Sequence, residues 1–198
     1  MPIHSGPHRG APHHARRTAR VLPLLTCLLL TVVGCSPALD WRDARLAGAG
    51  LSLLFPCKPQ SQSRVVEVAG QPWSAALLAC DAAGMTFAAL ALAPPPRAEP
   101  SSQAAGLPAQ AMDGLAQDAV TRWGPLEGAQ AAPAGVRLPD GVQGRWTRHA
   151  RAAASGPALR TQALFMATPQ GLVQLSVHGE RLSDVALENF FGQLKVMP

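Results

Sequence analysis

Apolar and polar positions separate first near the N-terminal end. Residues 21 to 33, VLPLLTCLLLTVV, form an apolar run of 13 residues. Before it stands HHARRTAR (13 to 20), with Arg16, Arg17 and Arg20, and no acidic residue precedes Asp40. Such a run fits the apolar stretch of an export signal, about 7–15 residues, and falls short of the roughly 20 that a membrane-spanning helix needs. From residue 51 the pattern changes to short runs. LSLLFPCKP (51 to 59) predicts an apolar strand ended by proline, and SRVVEVAG (63 to 70) alternates around Val66 and Val68 before Gly70-Gln71-Pro72, so the two predict a hairpin. SAALLAC (74 to 80) and MTFAALAL (85 to 92) flank Asp81-Ala82-Ala83-Gly84 and predict a second one.

APPPRAEPSS (93 to 102) carries too many prolines for either regular element and predicts a connector. Beyond it Met112, Leu115, Ala119, Val120 and Trp123 recur at helical spacing, with Asp118 and Arg122 four apart on another face; Gly124-Pro125 stops the helix. The apolar stripe is expected to face the protein's own core. Residues 126 to 141 show little period and predict an irregular loop. VQGRWTRHA (142 to 150), ALRTQALFMAT (158 to 168) and GLVQLSVHG (171 to 179) then predict a three-stranded meander, the last two joined at Pro169-Gln170. Ser183 is the expected N-cap of a closing helix, with Leu182 and Leu187 as a hydrophobic staple and Leu187, Phe190, Phe191 and Leu194 on one apolar face. The expected fold is α+β: a largely antiparallel sheet of about six or seven strands packed by two helices, in the order ββββ-α-βββ-α.

The early apolar run ends on Val32-Val33-Gly34-Cys35, which resembles the lipobox of bacterial lipoproteins. The resemblance implies that a peptidase removes residues 1–34 and that Cys35, then the first residue, carries a diacylglycerol thioether and usually an acylated amine. At about 0.8 kcal/mol per buried methylene, two or three acyl chains make a lasting attachment. The alternative is an ordinary secreted protein with Cys35 left as a plain thiol. Ser36 stands where inner-membrane lipoproteins typically carry Asp, so the resemblance implies an outer-membrane lipoprotein facing the periplasm. Residues 35–50 are then expected as a tether and 51–198 as one globular domain.

Without the leader, 164 of the 198 residues remain, a length suited to one core. Four of the 17 Lys and Arg residues (Arg9, Arg16, Arg17, Arg20) and none of the 12 acidic ones precede Cys35. The remaining 13 basic and 12 acidic residues give a net charge of +1, which removes the compositional support for nucleic-acid binding. Only His149 and His178 remain of six histidines, and without a Cys-x-x-Cys or a close His pair no metal or haem ligand set is expected, and no cofactor. Cys27 leaves with the leader and Cys35 takes the lipid, so Cys57 and Cys80 remain. In an oxidising compartment they are expected to form one disulfide, of the first strand with the third, the alternatives being buried free thiols or a redox pair.

The mature body, with LLFPCKP near its start, Gly84 to Ala91 after Cys80, and the ending LVQLSVHGERLSDVALENFFGQLKV, resembles a group of proteobacterial lipoproteins sharing an FPCKP motif and a closing helix. That resemblance implies no activity. The element order is also similar to the α/β/α fold of the photosystem subunit PsbP.

For catalysis the candidates are His149, His178, Asp140, Glu180 and Ser183. His178-Gly179-Glu180 lacks the P-C-x-x-C partner of zinc deaminases, and no G-x-S-x-G, H-E-x-x-H or phosphate-binding glycine loop occurs. Both histidines are therefore expected as solvated strand-surface residues. Arg145, Trp146, Arg148 and Arg151 form a basic-aromatic cluster, but strand alternation puts Arg145 and His149 on one side and Trp146 and Arg148 on the other. Two functions follow as expectations. One is a non-catalytic module, tethered to the membrane by its lipid, that binds another envelope component. The other is an envelope hydrolase or small-ligand carrier with a pocket between sheet and helices.

Overall fold

Alternating side chains build a six-stranded antiparallel sheet from β3 (Gln60–Val68), β4 (Gln71–Ala82), β5 (Met85–Ala93), β6 (Gly144–Arg151), β7 (Leu159–Thr168) and β8 (Gly171–Gly179), in the spatial order β3-β4-β5-β8-β7-β6. A smaller antiparallel sheet has the order β1 (Arg42–Leu46), β2 (Leu51–Phe55), β9 (Lys195–Val196). Helices α1 (Leu107–Trp123) and α2 (Asp184–Gly192) complete the α+β fold. The computed structural model describes residues 38–68, 70–95, 107–140, 142 and 144–197. The expected signal peptide (1–34), Cys35 and residues 96–102 of the connector lie outside them. Among the described residues no helix is long and apolar enough to cross a membrane.

The second hairpin turns where the sequence places it. Ala82 pairs with Met85, and Ala83 and Gly84 between them have φ of 51° and 73°, the left-handed pair that a two-residue turn needs to match strand twist. Glycine supplies one of these angles without a steric penalty.

The two faces of the large sheet differ. On one, Phe87, Leu175 and Val177 pack with Leu46, Leu51, Leu53 and Phe55 of the small sheet and with Phe190 and Phe191 of α2. The rings of Phe55, Phe87, Phe190 and Phe191 meet edge to face at centroid separations of 5.1–5.4 Å, and each such side chain contributes on the order of 1.5–3 kcal/mol by burial. Ser183 caps α2, its Oγ accepting from the Ala186 amide, and Leu182 packs on the same core as Leu187.

On the opposite face α1 packs chiefly against β6, β7 and β8. Its N-terminal part reaches Trp73 and Leu92 through Ala111, Met112 and Leu115, and Trp123 closes its C-terminal end. Gly124, at φ 90°, ends the helix against β6: a Cβ there would lie 2.6 Å from the Ala150 carbonyl oxygen.

One expectation changes and one is met. Residues 42–50, expected within the tether, form β1 and a turn that brings Leu46, 1 % exposed, and Ala49 into the core. The Cys57–Cys80 disulfide forms, joining the ends of the first and third predicted strands. Cys57 follows β2 of the small sheet and Cys80 lies on β4 of the large one, so the bridge staples the two sheets together.

The two edges of the large sheet also differ. Outside β6, Leu126 bridges His149, the Glu127 amide donates to the Arg148 carbonyl, and the Ala150 amide donates to the Pro125 carbonyl. Outside β3 no strand pairs among the described residues.

Candidate functional site

Register aligns a polar row across five strands on the α1 face. Asp81 of β4 stands beside Thr86 of β5, Thr86 beside His178 of β8, His178 beside Thr161 of β7, and Thr161 beside His149 of β6. The row is knit by hydrogen bonds. Thr86 Oγ1 donates to Asp81 Oδ1 at 2.6 Å, and His178 Nδ1 and Nε2 lie 2.9 Å from Thr161 Oγ1 and 3.0 Å from Ser176 Oγ. Hydroxyls both donate and accept, so they satisfy one protonated and one bare ring nitrogen.

Trp123 covers the inner half of this row, its ring centroid 5.0 Å from that of His178, 5.5 Å from that of His149 and 6.3 Å from that of Phe165. Arg122 reaches back over the Trp123 ring, 5.8 Å from its centroid, and pairs with Asp118 one turn earlier. Burial foremost, then the Arg122 charge and then nearby His149, lowers the His178 pKa from 6.5 to about 4. The ring is therefore neutral at neutral pH. His149 is wholly buried: Nδ1 donates to the Gly124 carbonyl at 2.9 Å, while Nε2 has no hydrogen-bond partner. Thr147 Oγ1, two residues before it on the same face, likewise has none.

The row above is built of small side chains. Ala79, Ala88, Ser176 and Ala163 are successive neighbours across β4, β5, β8 and β7. A line of alanines beside the larger Leu77–Leu90 pair leaves a depression, and the helix does not fill it over β3, β4 and β5. The result is a trough of about 720 Å³, within the range of roughly 300–1,000 Å³ usual for small-molecule sites. Gln62 and Arg64 of β3 form one rim, Arg122 and Trp123 the other, and Gln174, Ser176 and His178 lie between.

His149 is thus wholly buried and His178 half-buried beside the trough, rather than both being solvated, and the reason is the helix laid over the polar side of the meander. The other candidates stay apart. Ser183 caps α2, and Asp140 and Glu180 are exposed. The basic-aromatic cluster divides as alternation requires: Arg145 pairs with Asp113 of α1, whereas Trp146 packs on Phe191 on the other side and Arg148 bonds Gln162. Among the described residues no group of three or more His, Cys, Asp or Glu is placed to hold a metal ion.

Ser176, Thr161, Arg64 and the alanine line escape a motif search. For Ser176 the one signal in the sequence is the polar phase Gln174-Ser176-His178, opposite the apolar Val173-Leu175-Val177.

Comparison of the chain with protein-family models, with curated proteins and with solved structures returns no match.

Proposed function

We propose that this chain is an outer-membrane lipoprotein, held by acyl chains on Cys35, whose periplasmic domain recognises a ligand without breaking bonds in it. The observation that carries the binding reading is the trough: a large apolar-floored depression with hydrogen-bonding groups at its sides, formed because alanines stand in line on a face that α1 leaves half covered. It favours a small or slender ligand over a broad protein surface.

Geometry also bears on catalysis. Ser176 Oγ and His178 Nε2 are at the separation of a nucleophile and its base. Ser176 is only 1 % exposed, however, and lies mid-strand between β5 and β7, where backbone amides belong to the ladders and are not turned toward a developing oxyanion. Thr161, which orients the imidazole, carries no negative charge to stabilise an imidazolium. The dyad serves as a neutral hydrogen-bonding wall.

A photo-crosslinking residue at Leu90, in the trough, tests this in intact cells against the same residue at exposed Val185 on α2. Intact-mass analysis is expected to find a defined adduct for position 90 alone, on a chain that begins at acylated Cys35. Equal adducts at both positions, or none at 90, would remove the binding reading, and an unmodified Cys35 would remove the anchor.

A further inference from the structure

We infer that the trough takes an aliphatic carboxylate, with its head at Arg64 and its chain lying across β4 and β5 toward Trp123. The inference rests on the trough being the binding site. Its floor sets the body of the ligand: Leu77, Ala79, Ala88 and Leu90 are half-buried and face the depression with no polar atom in their side chains. Water over such a floor is displaced favourably by a hydrocarbon chain, because apolar surface leaves solvent on both sides of the contact.

The sign of the head follows from the rims. Arg64 and Arg122 line the trough, and no aspartate or glutamate does. His178 adds no positive charge at neutral pH. In a mature chain with a net charge near zero, two guanidinium groups concentrated on one depression select an anion. Arg122 is already paired with Asp118 and laid over Trp123, whereas Arg64 has no ion-pair partner among the described residues. Arg64 is therefore the head site, its planar fork matched to a carboxylate, with the Gln62 amide beside it.

Strand spacing sets the length. From β3 to β8 is three inter-strand steps, roughly 14 Å at the usual ~4.8 Å each, the reach of a chain of about ten to twelve carbons.

Photoreactive decanoate and photoreactive decylammonium, offered to the lipoprotein in its native membranes, separate charge from greasiness. Saturable labelling of the β4 and β5 peptides by the carboxylate probe alone, competed by plain decanoate, is the expected result. Arg64→Gln is expected to weaken labelling about tenfold. Ala88→Leu, which fills the floor, is expected to abolish it while the unfolding temperature stays put. Equal labelling by both probes, labelling indifferent to Arg64→Gln, or no labelling of these peptides would overturn the inference. If the probe at Leu90 still traps a cellular adduct while decanoate fails, the ligand class is wrong and the trough stands. If both fail, the trough falls with it.

Discussion

A proton on His178 would have to be accommodated beneath Trp123 and near the Arg122 charge, and the folded chain resists it. Between pH 6.5 and about 4 the unfolded chain binds a proton that the folded one does not, so stability rises with pH across that window. The stabilising contribution is complete above pH 6.5, is lost as pH falls toward 4, and then levels off. Its full size is about 3 kcal/mol at 1.36 kcal/mol per pH unit. Urea unfolding at pH 7.5, 5.5 and 4 is expected to show this decline in the natural chain and a flatter course in His178→Gln; the same decline in both would assign it to other groups. Alternation in GLVQLSVHG identifies which residues share a face with His178. It does not reveal that the polar side is roofed, because the roof is a helix more than 45 residues earlier in the chain.

Elements with a long periodic pattern were legible, and those held only by pairing were not. Around α2 the N-cap, the staple and the aromatic face are local signals, and they agree. Phe190→Ala, which removes a ring meeting three others or their neighbours in the core, is expected to cost about 3–5 kcal/mol, read as a shift of the urea midpoint. A loss below about 1 kcal/mol would mean that α2 is not docked as described. Strand β1 reads Arg-Asp-Ala-Arg-Leu between a tryptophan and a glycine-alanine turn, so only Ala44 and Leu46 mark a buried side. That is too little to separate a strand from a tether. Strand β9 has two residues and exists because β2 offers them an edge.

At the scale of the whole molecule the Cys57–Cys80 bridge joins sheets that share a core but no ladder. Cysteine counting was enough to pair the two residues, whereas their placement on separate sheets depends on the long-range path of β2. Replacing both by serine is expected to cost about 3 kcal/mol in the chain-entropy account. Urea unfolding of the natural chain with and without reductant checks it, since the double variant should match the reduced protein and be indifferent to reductant. The trough was the least legible feature of all. It arises from alanines on separate strands and from where a helix stops, and neither is visible until register is known.

The unlike edges of the large sheet carry one more consequence. Because the segment around Leu126 occupies the rim of β6, and among the described residues β3 is the uncovered border of the large sheet, joining through that sheet has a single valence: two copies meeting at β3 would leave blocked borders outward on both sides. Such a pair is a dead end for growth through the large sheet.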